Sequence, residues 1–182
     1  MKRKTAKEIL DESFMELADR KSIDKITIQE IVDNCGYSPA TFYRNFKDKY
    51  DLIAWDHTRG VAAIMDRIDQ KTYTWNQTLL DGANWFLREK DYLVNLFQHT
   101  KGQDSFVRYM TEINFAALKK QILLSGKTAE LTAKEELLAR IYCLGTVHLT
   151  CEWLLGMYDA TPEDIAQLYE ESLPVPLQRF LM

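Results

Sequence analysis

The chain has 182 residues, 46% hydrophobic and 27% charged, with a formal net charge of -4. That balance fits one globular domain, or a small module fused to a larger one, and excludes a disordered chain. No stretch reaches the roughly 18–20 uninterrupted apolar residues of a membrane span. The basic start Lys2-Arg3-Lys4 lacks the apolar core of a secretory signal, so a cytoplasmic location without membrane contact is expected.

Three cysteines, Cys35, Cys143 and Cys151, are too few for a disulfide framework. Lacking nearby thiolate or imidazole ligands, they read as small apolar residues, and neither a metal nor a cofactor is expected. Residues 1–50 hold ten Lys/Arg against nine Asp/Glu, whereas residues 51–182 hold thirteen against eighteen. An acidic body with a less acidic head suits a protein that offers a polyanion only one end.

Glycine (7) and proline (4) are scarce, and apolar residues recur at three- and four-residue spacing, so an all-α chain of about nine helices is expected. Over residues 5–19, Ile9, Leu10, Phe14, Leu17 and Ala18 share a face, with Glu8, Asp11, Glu12 and Glu16 opposite. Thr27 and Glu30 form a capping box that starts a second helix, with Ile28, Ile31 and Val32 as its buried stripe. That helix stops near Gly36, a residue type that tolerates the left-handed turn. Ser38-Pro39 restarts a short third helix to about Asn45, serine capping and proline at the first helical position. Asp48 caps a fourth helix whose pattern persists to about Lys71. Further helices are read near 75–88, 91–100, 103–125, 132–157 and 162–173, the last two opening on the caps Thr132/Glu135 and Thr161-Pro162-Glu163-Asp164. Residues 1–50 then form one domain and residues 51–182 another, packed directly because no flexible linker separates them.

Two helices joined by a short turn containing glycine form a helix-turn-helix, whose second helix enters the DNA major groove by its N-terminal residues. Pro39, Ala40 and Thr41 are small and permit close approach. Phe42 and Phe46, four apart, face inward, while Tyr43, Arg44 and Asn45 offer hydrogen-bond donors elsewhere. Lys47 and Lys49 stand where phosphates would lie, near the N-terminus of the fourth helix. Lys2, Arg3 and Lys4 read as a solvated tail or as an arm on DNA.

Ile26-Thr27-Ile28-Gln29-Glu30-Ile31, Cys35-Gly36-Tyr37-Ser38 and Thr41-Phe42-Tyr43-Arg44-Asn45-Phe46-Lys47-Asp48-Lys49-Tyr50-Asp51-Leu52 resemble the DNA-binding domain of the TetR family of bacterial regulators. The resemblance implies that Thr27, Tyr43 and Lys49 hold phosphates, and that Gln29, Pro39, Ala40, Thr41, Arg44 and Asn45 face bases. Arg44 is the candidate for a bidentate guanine contact, with a phosphate contact as the alternative. Gly145, Glu152-Trp153-Leu154-Leu155-Gly156-Met157 and Thr161-Pro162-Glu163-Asp164-Ile165 resemble the C-terminal domain of a TetR subgroup that includes relatives of the dihydroxyacetone-kinase operon activator. That likeness implies a homodimer built on the last two helices, for which Leu138, Ile141, Tyr142, Gly145, Leu149 and Trp153 are candidate contacts.

Candidate lining residues of a ligand pocket inside the central helices are Trp85, Phe86, Phe97, Phe106, Tyr109, Met110 and His148, although packing in a helical core is the simpler role for each. The expected function is sequence-specific binding of double-stranded DNA at a palindromic operator, as a repressor released by an unknown small-molecule effector. The alternative is a coactivator or interaction module working through a protein partner. An enzyme is not expected, since the three histidines are far apart in sequence and no Ser/His/Asp context or glycine-rich phosphate loop occurs.

Overall fold

The computed structural model describes residues 3–65, 67, 74–100 and 106–182. Among these residues all regular structure is helical: ten α-helices and one 3-10 turn. Helix α1 (Ala6–Ala18), a 3-10 turn (Ile23–Lys25), α2 (Ile28–Cys35) and α3 (Pro39–Asn45) form the N-terminal unit. Then follow α4 (Lys49–Met65), α5 (Trp75–Arg88), α6 (Lys90–His99), α7 (Phe106–Leu124), α8 (Ala133–Leu154), α9 (Pro162–Glu171) and α10 (Val175–Leu181). The expected continuation of α4 to Lys71 and the expected start of α7 at residue 103 lie outside the described residues. No helix among the described residues is long and apolar enough to cross a membrane.

Helix starts follow side-chain chemistry. Thr5/Glu8, Thr27/Glu30, Thr74/Gln77, Thr132/Glu135 and Thr161/Asp164 each form a reciprocal capping box; a cap of this kind contributes about 1 kcal/mol. Asp48 accepts from the N–H groups of Tyr50 and Asp51 at 2.9 Å each, which opens α4 as expected. Helix α10 goes beyond the nine expected. Pro174 and Pro176 suggest a break in sequence, yet in the first turn of a helix the missing N–H costs nothing. Leu177 and Phe180 are buried, so packing holds that last helix in place.

One apolar cluster runs from Leu10 and Phe14 through Phe42, Phe46, Leu52 and Ile53 to Leu93, Phe106 and Leu154, joining the N-terminal unit to the rest. A second, around Trp75, Phe115, Leu118, Leu173 and Phe180, closes the far end. Helix α4 serves both sides, packing on α1, α5 and α7, while α5 lies along α9. Asn95 of α6 fastens the junction: its amide donates to the carbonyls of Ala18 and Lys21 at 2.9 and 3.0 Å, and its oxygen accepts from Ile23 N–H at 3.2 Å.

The charged face expected for α1 needs one correction. Asp11 is 1% exposed. It points into the junction with α4 because Arg59 of α4 reaches it, Nη2 standing 3.1 Å from Asp11 Oδ2.

Candidate nucleic-acid interface

The recognition helix is made stiff before it is made available. Ser38 Oγ accepts the Thr41 N–H at 3.2 Å and Pro39 takes the first helical position. Gly36 adopts φ +72°, and the Tyr37 N–H reaches back to the Val32 carbonyl at 2.8 Å, which turns the chain sharply between α2 and α3. Behind α3, Phe42 is fully buried and Phe46 is 2% exposed, their rings 5.8 Å apart, with Phe46 edge-on to Trp55 of α4 at 5.7 Å. Burying each of those rings contributes roughly 1.5–3 kcal/mol.

The opposite face of α3 is open. Pro39, Ala40, Tyr43 and Arg44 are exposed, and Thr41 and Asn45 half-buried. Tyr43, 60% exposed, leans its ring edge-on against Phe42 at 5.7 Å, so the buried anchor holds the outward tyrosine. Asn45 donates to the Thr41 carbonyl at 2.8 Å, and Ser38 and Thr41 share a hydroxyl contact of 3.1 Å. The side chains of Arg44 and Lys47 extend outward with no hydrogen bond or ion pair among the described residues, so the guanidinium and ammonium remain available for an anion, while the Lys47 backbone N–H donates to Asp51 Oδ2 at 2.9 Å.

The flanking positions are engaged. Thr27 Oγ1 accepts the Glu30 N–H at 3.2 Å and donates to Glu30 Oε2 at 2.8 Å, while Lys21 and this cap pull the Glu30 carboxyl down to about 2. Gln29 donates to Asp33 Oδ1 at 2.7 Å. Lys4 pairs with Glu12, and Lys2 lies outside the described residues.

Lys49 is the exception in kind. Its ammonium donates to the carbonyls of Ile23, Asp24 and Ile26 at 2.8, 2.9 and 2.9 Å, which occupies all three hydrogens. Burial lowers its pKa, with Asp24 opposing. Lys49 therefore clamps the start of α4 to the 3-10 turn, a role its spacing did not show. Replacing it by methionine removes the ammonium from three carbonyls, of which that of Ile23 keeps the Ile26 N–H at 3.2 Å, and the expected loss is about 1–3 kcal/mol of stability by chemical denaturation. Unchanged stability would show the clamp to be idle.

Two family models match the chain: bacterial regulatory proteins of the tetR family over residues 9–54, and a transcriptional regulator C-terminal region over residues 73–174. The chain belongs to the TetR family. No curated protein matches it by sequence. Among solved structures, the dihydroxyacetone kinase operon activator DhaS is 16% identical, over 96% of each chain, with a TM-score of 0.63. A TetR regulator from Rhodococcus sp. RHA1 is 17% identical over 93% of this chain and 97% of its own, at 0.65. Thermus thermophilus FadR, a TetR repressor in complex with lauroyl-CoA, is 17% identical over 97% and 95%, at 0.62. At such identities the likeness is one of fold.

In this TetR chain the six candidate dimer residues divide. Ile141 and Gly145 are exposed on α8, and Leu138 and Leu149 are half-buried. Tyr142 and Trp153 belong to the interior of the protomer: Tyr142 donates its hydroxyl to the Tyr169 carbonyl at 3.0 Å, and Trp153 Nε1 donates to the Ala160 carbonyl at 2.8 Å. The exposed stripe of α8 instead runs through Leu137, Ile141, Leu144, Gly145 and His148 at helical spacing, with Leu155 exposed just past its end. His148, expected in a pocket, stands on this outward stripe because it follows Ile141 by two turns.

Two cavities lie among the helices behind it. The first, about 110 Å³, is lined by apolar residues of α4, α5 and α7 and by Tyr142, Cys143, Thr146, Thr150 and Tyr169. Its hydroxyls are chained: Thr150 and Tyr169 meet at 2.7 Å, and the Tyr169 hydroxyl reaches the Thr146 carbonyl at 2.8 Å. Burial pushes the Cys143 thiol up to about 12, away from nucleophilic use. The second cavity, about 390 Å³, sits where α1 meets α4, α5 and α6. Of the expected pocket residues, Trp85 lines both, Phe86 the first and Phe106 the second. Phe97, Tyr109 and Met110 line neither; Phe97 stacks on Phe106 at 5.8 Å and Met110 is fully buried. The hydroxyl set was missed, although Tyr142, Thr146 and Thr150 at four-residue spacing mark one inward face of α8.

Proposed function

We propose that this TetR-family regulator is a homodimeric repressor that binds a palindromic operator through α3 and is released by a small effector. The observation that carries this reading is the two-sided character of α3. Phe42 and Phe46 fix it in the core, while Tyr43 and Arg44 on it, and Lys47 just past its end, project toward solvent free to meet DNA. Pro39, Ala40 and Thr41 at its N-terminal end admit close approach to base edges in a groove about 12 Å wide. Tyr43 and Lys47 take phosphates, Arg44 grips a guanine, and Thr27 and Gln29 flank the groove from α2. Lys49 supports the surface from behind.

The stripe on α8 supports the dimer. Leu137, Ile141 and Leu144 are 62%, 65% and 48% exposed, and a Cβ on Gly145 would meet nothing within 4 Å. An apolar face with a bare glycine at its centre matches its own copy across a two-fold axis. The pair of subunits then presents two α3 helices to successive major grooves.

The effector acts by binding one separation of the two recognition helices better than another, and it shifts operator affinity by that difference alone. The cavity bounded by α4, α5, α7 and α8 suits a small, largely apolar molecule with one or two polar atoms facing the Thr146, Thr150 and Tyr169 hydroxyls.

Selecting bound fragments of genomic DNA supplies the operator for a direct test. Replacing Arg44 by alanine is expected to cost about 1–3 kcal/mol at one base pair and relax the preference there. Replacing Tyr43 by alanine weakens all sequences alike and lowers the salt slope. A double variant with unaltered affinity and preference would remove α3 from the DNA surface.

A further inference from the structure

We propose that the larger cavity, at the junction of α1 with α4, α5 and α6, binds an organic cation, an alkyl- or arylalkyl-ammonium ion, between Asp56 and Glu89. Two carboxylates line it, Asp56 from α4 and Glu89 at the end of α5; Asp11 of α1 stands just behind Asp56 on the same guanidinium, Arg59, and Arg88 acts on Glu89 from outside the lining. Arg59 is already committed. It reaches Asp11 at 3.1 Å and Asp56 at 3.4 Å, and stacks on the Trp55 ring at 4.8 Å.

The surplus negative charge leaves a visible deficit. Asp11 Oδ1 is buried with no donor from any described residue. Asp11 and Asp56 lie close enough to share a proton, and burial, with the neighbouring carboxyl adding to it, raises Asp11 far above the carboxylate range. A buried pair that keeps a proton is one whose second positive charge is missing.

Tyr92 supplies the independent sign of a ligand. Its ring is 7% exposed and lines the cavity, and its hydroxyl has no hydrogen-bond partner among the described residues. That hydroxyl feels the charges of Asp56, Asp11 and Glu89 together. A buried phenol without a partner is destabilising, and a polar group entering the cavity offsets that. Of the remaining walls, Met15, Ile53, Trp85, Leu93 and Phe106 are apolar or aromatic, and His57 is a buried imidazole that burial holds neutral, so they fit an organic ion rather than a hydrated metal. Aromatic faces attract a desolvated cation as well as its alkyl chain. About 390 Å³ lies in the range that small-molecule sites occupy.

The exchange balances. An ammonium ion enters, the proton held by Asp11 and Asp56 leaves to solvent, and no covalent bond changes. Because Asp11 and Met15 belong to the helix that carries the DNA-binding unit, occupancy bears on the angle between α1 and α4. That consequence rests on the regulator reading; the binding does not.

Calorimetric titration of the full chain with butyl-, hexyl-, phenylethyl-, phenylbutyl- and benzyltrimethylammonium ions, and with the corresponding neutral alcohols, tests the site. At neutral pH at least one ammonium ion should bind about tenfold or more tightly than its alcohol, and Asp56→Asn or Glu89→Gln should each weaken it by about tenfold. Buffers of differing ionisation enthalpy should report close to one proton released by the native chain and none by Asp11→Asn. Tyr92→Phe, nearly isosteric, keeps the test open should a carboxylate variant fail to fold, and should weaken every primary ammonium ion that binds, since these have N–H groups to pair with the phenol and the quaternary ion has none. Alcohols binding as tightly as the ions, an absence of binding across the series, or unchanged affinity in folded Asp56→Asn and Glu89→Gln would overturn the proposal. Ion binding that leaves operator affinity unchanged would support the site and overturn only its regulatory consequence.

Discussion

Replacing Ile141 and Leu144 together by glutamate is expected to leave a folded monomer whose operator affinity has fallen by about a hundredfold or more. Both side chains are exposed in the protomer, at 65% and 48%, so their carboxylates remain hydrated and the fold of one subunit is little disturbed. Across a two-fold interface each residue faces its own symmetry-related stripe, so two substitutions place four carboxylates in one buried face. Desolvating unpaired charges of one sign opposes association strongly. Operator binding falls because two linked recognition helices gain an effective concentration that two separate ones lack. Sedimentation equilibrium with and without operator measures both effects. A variant that stays dimeric would move the interface away from this stripe.

Gly60→Ala carries the second large effect. A Cβ at this position would overlap Trp85 Cζ2 and lie 2.8 Å from Cη2. The indole can yield only toward the cavities it lines, and doing so breaks its packing on His57 at 5.4 Å and on Phe86 at 5.1 Å. Overpacking of this sort costs about 1–3 kcal/mol, against at most about 1 kcal/mol gained from helix propensity. The net expectation is a lower melting temperature, by about 2–4 °C for each kcal/mol lost in a chain of this size. Combining Gly60→Ala with Trp85→Leu should restore part of the loss, because the second change removes the ring that blocks the first. A single variant that melts at or above the native temperature would show that α4 and α5 do not need this contact.

The N-terminal unit was legible because its signals are local. Thr27 with Glu30, Gly36 with its left-handed turn, Ser38-Pro39, and Phe42 four residues before Phe46 each state a requirement within one or two turns of helix. What escaped depends on distant partners. Lys49 meets carbonyls more than twenty residues away, so its spacing beside Lys47 suggested a phosphate instead. Asp11 looks like a member of a solvated acidic face until Arg59 draws it inward. Helix α8 is apolar on most of its circumference. Periodicity therefore does not separate the inward set, with Tyr142, Cys143 and Val147, from the outward one, with Leu137, Ile141 and His148. The second cavity gives no sequence signal, since its residues come from α1, α4, α5, α6 and α7.

The most direct measurement is a hydroxyl-radical footprint of the chain on its selected operator, repeated over a range of salt concentrations. Two protected half-sites centred about 10–10.5 base pairs, or a multiple of that, apart, with affinity falling steeply as salt rises, are the result expected of paired α3 helices. A single protected patch, or protection that ignores sequence and salt alike, would contradict it.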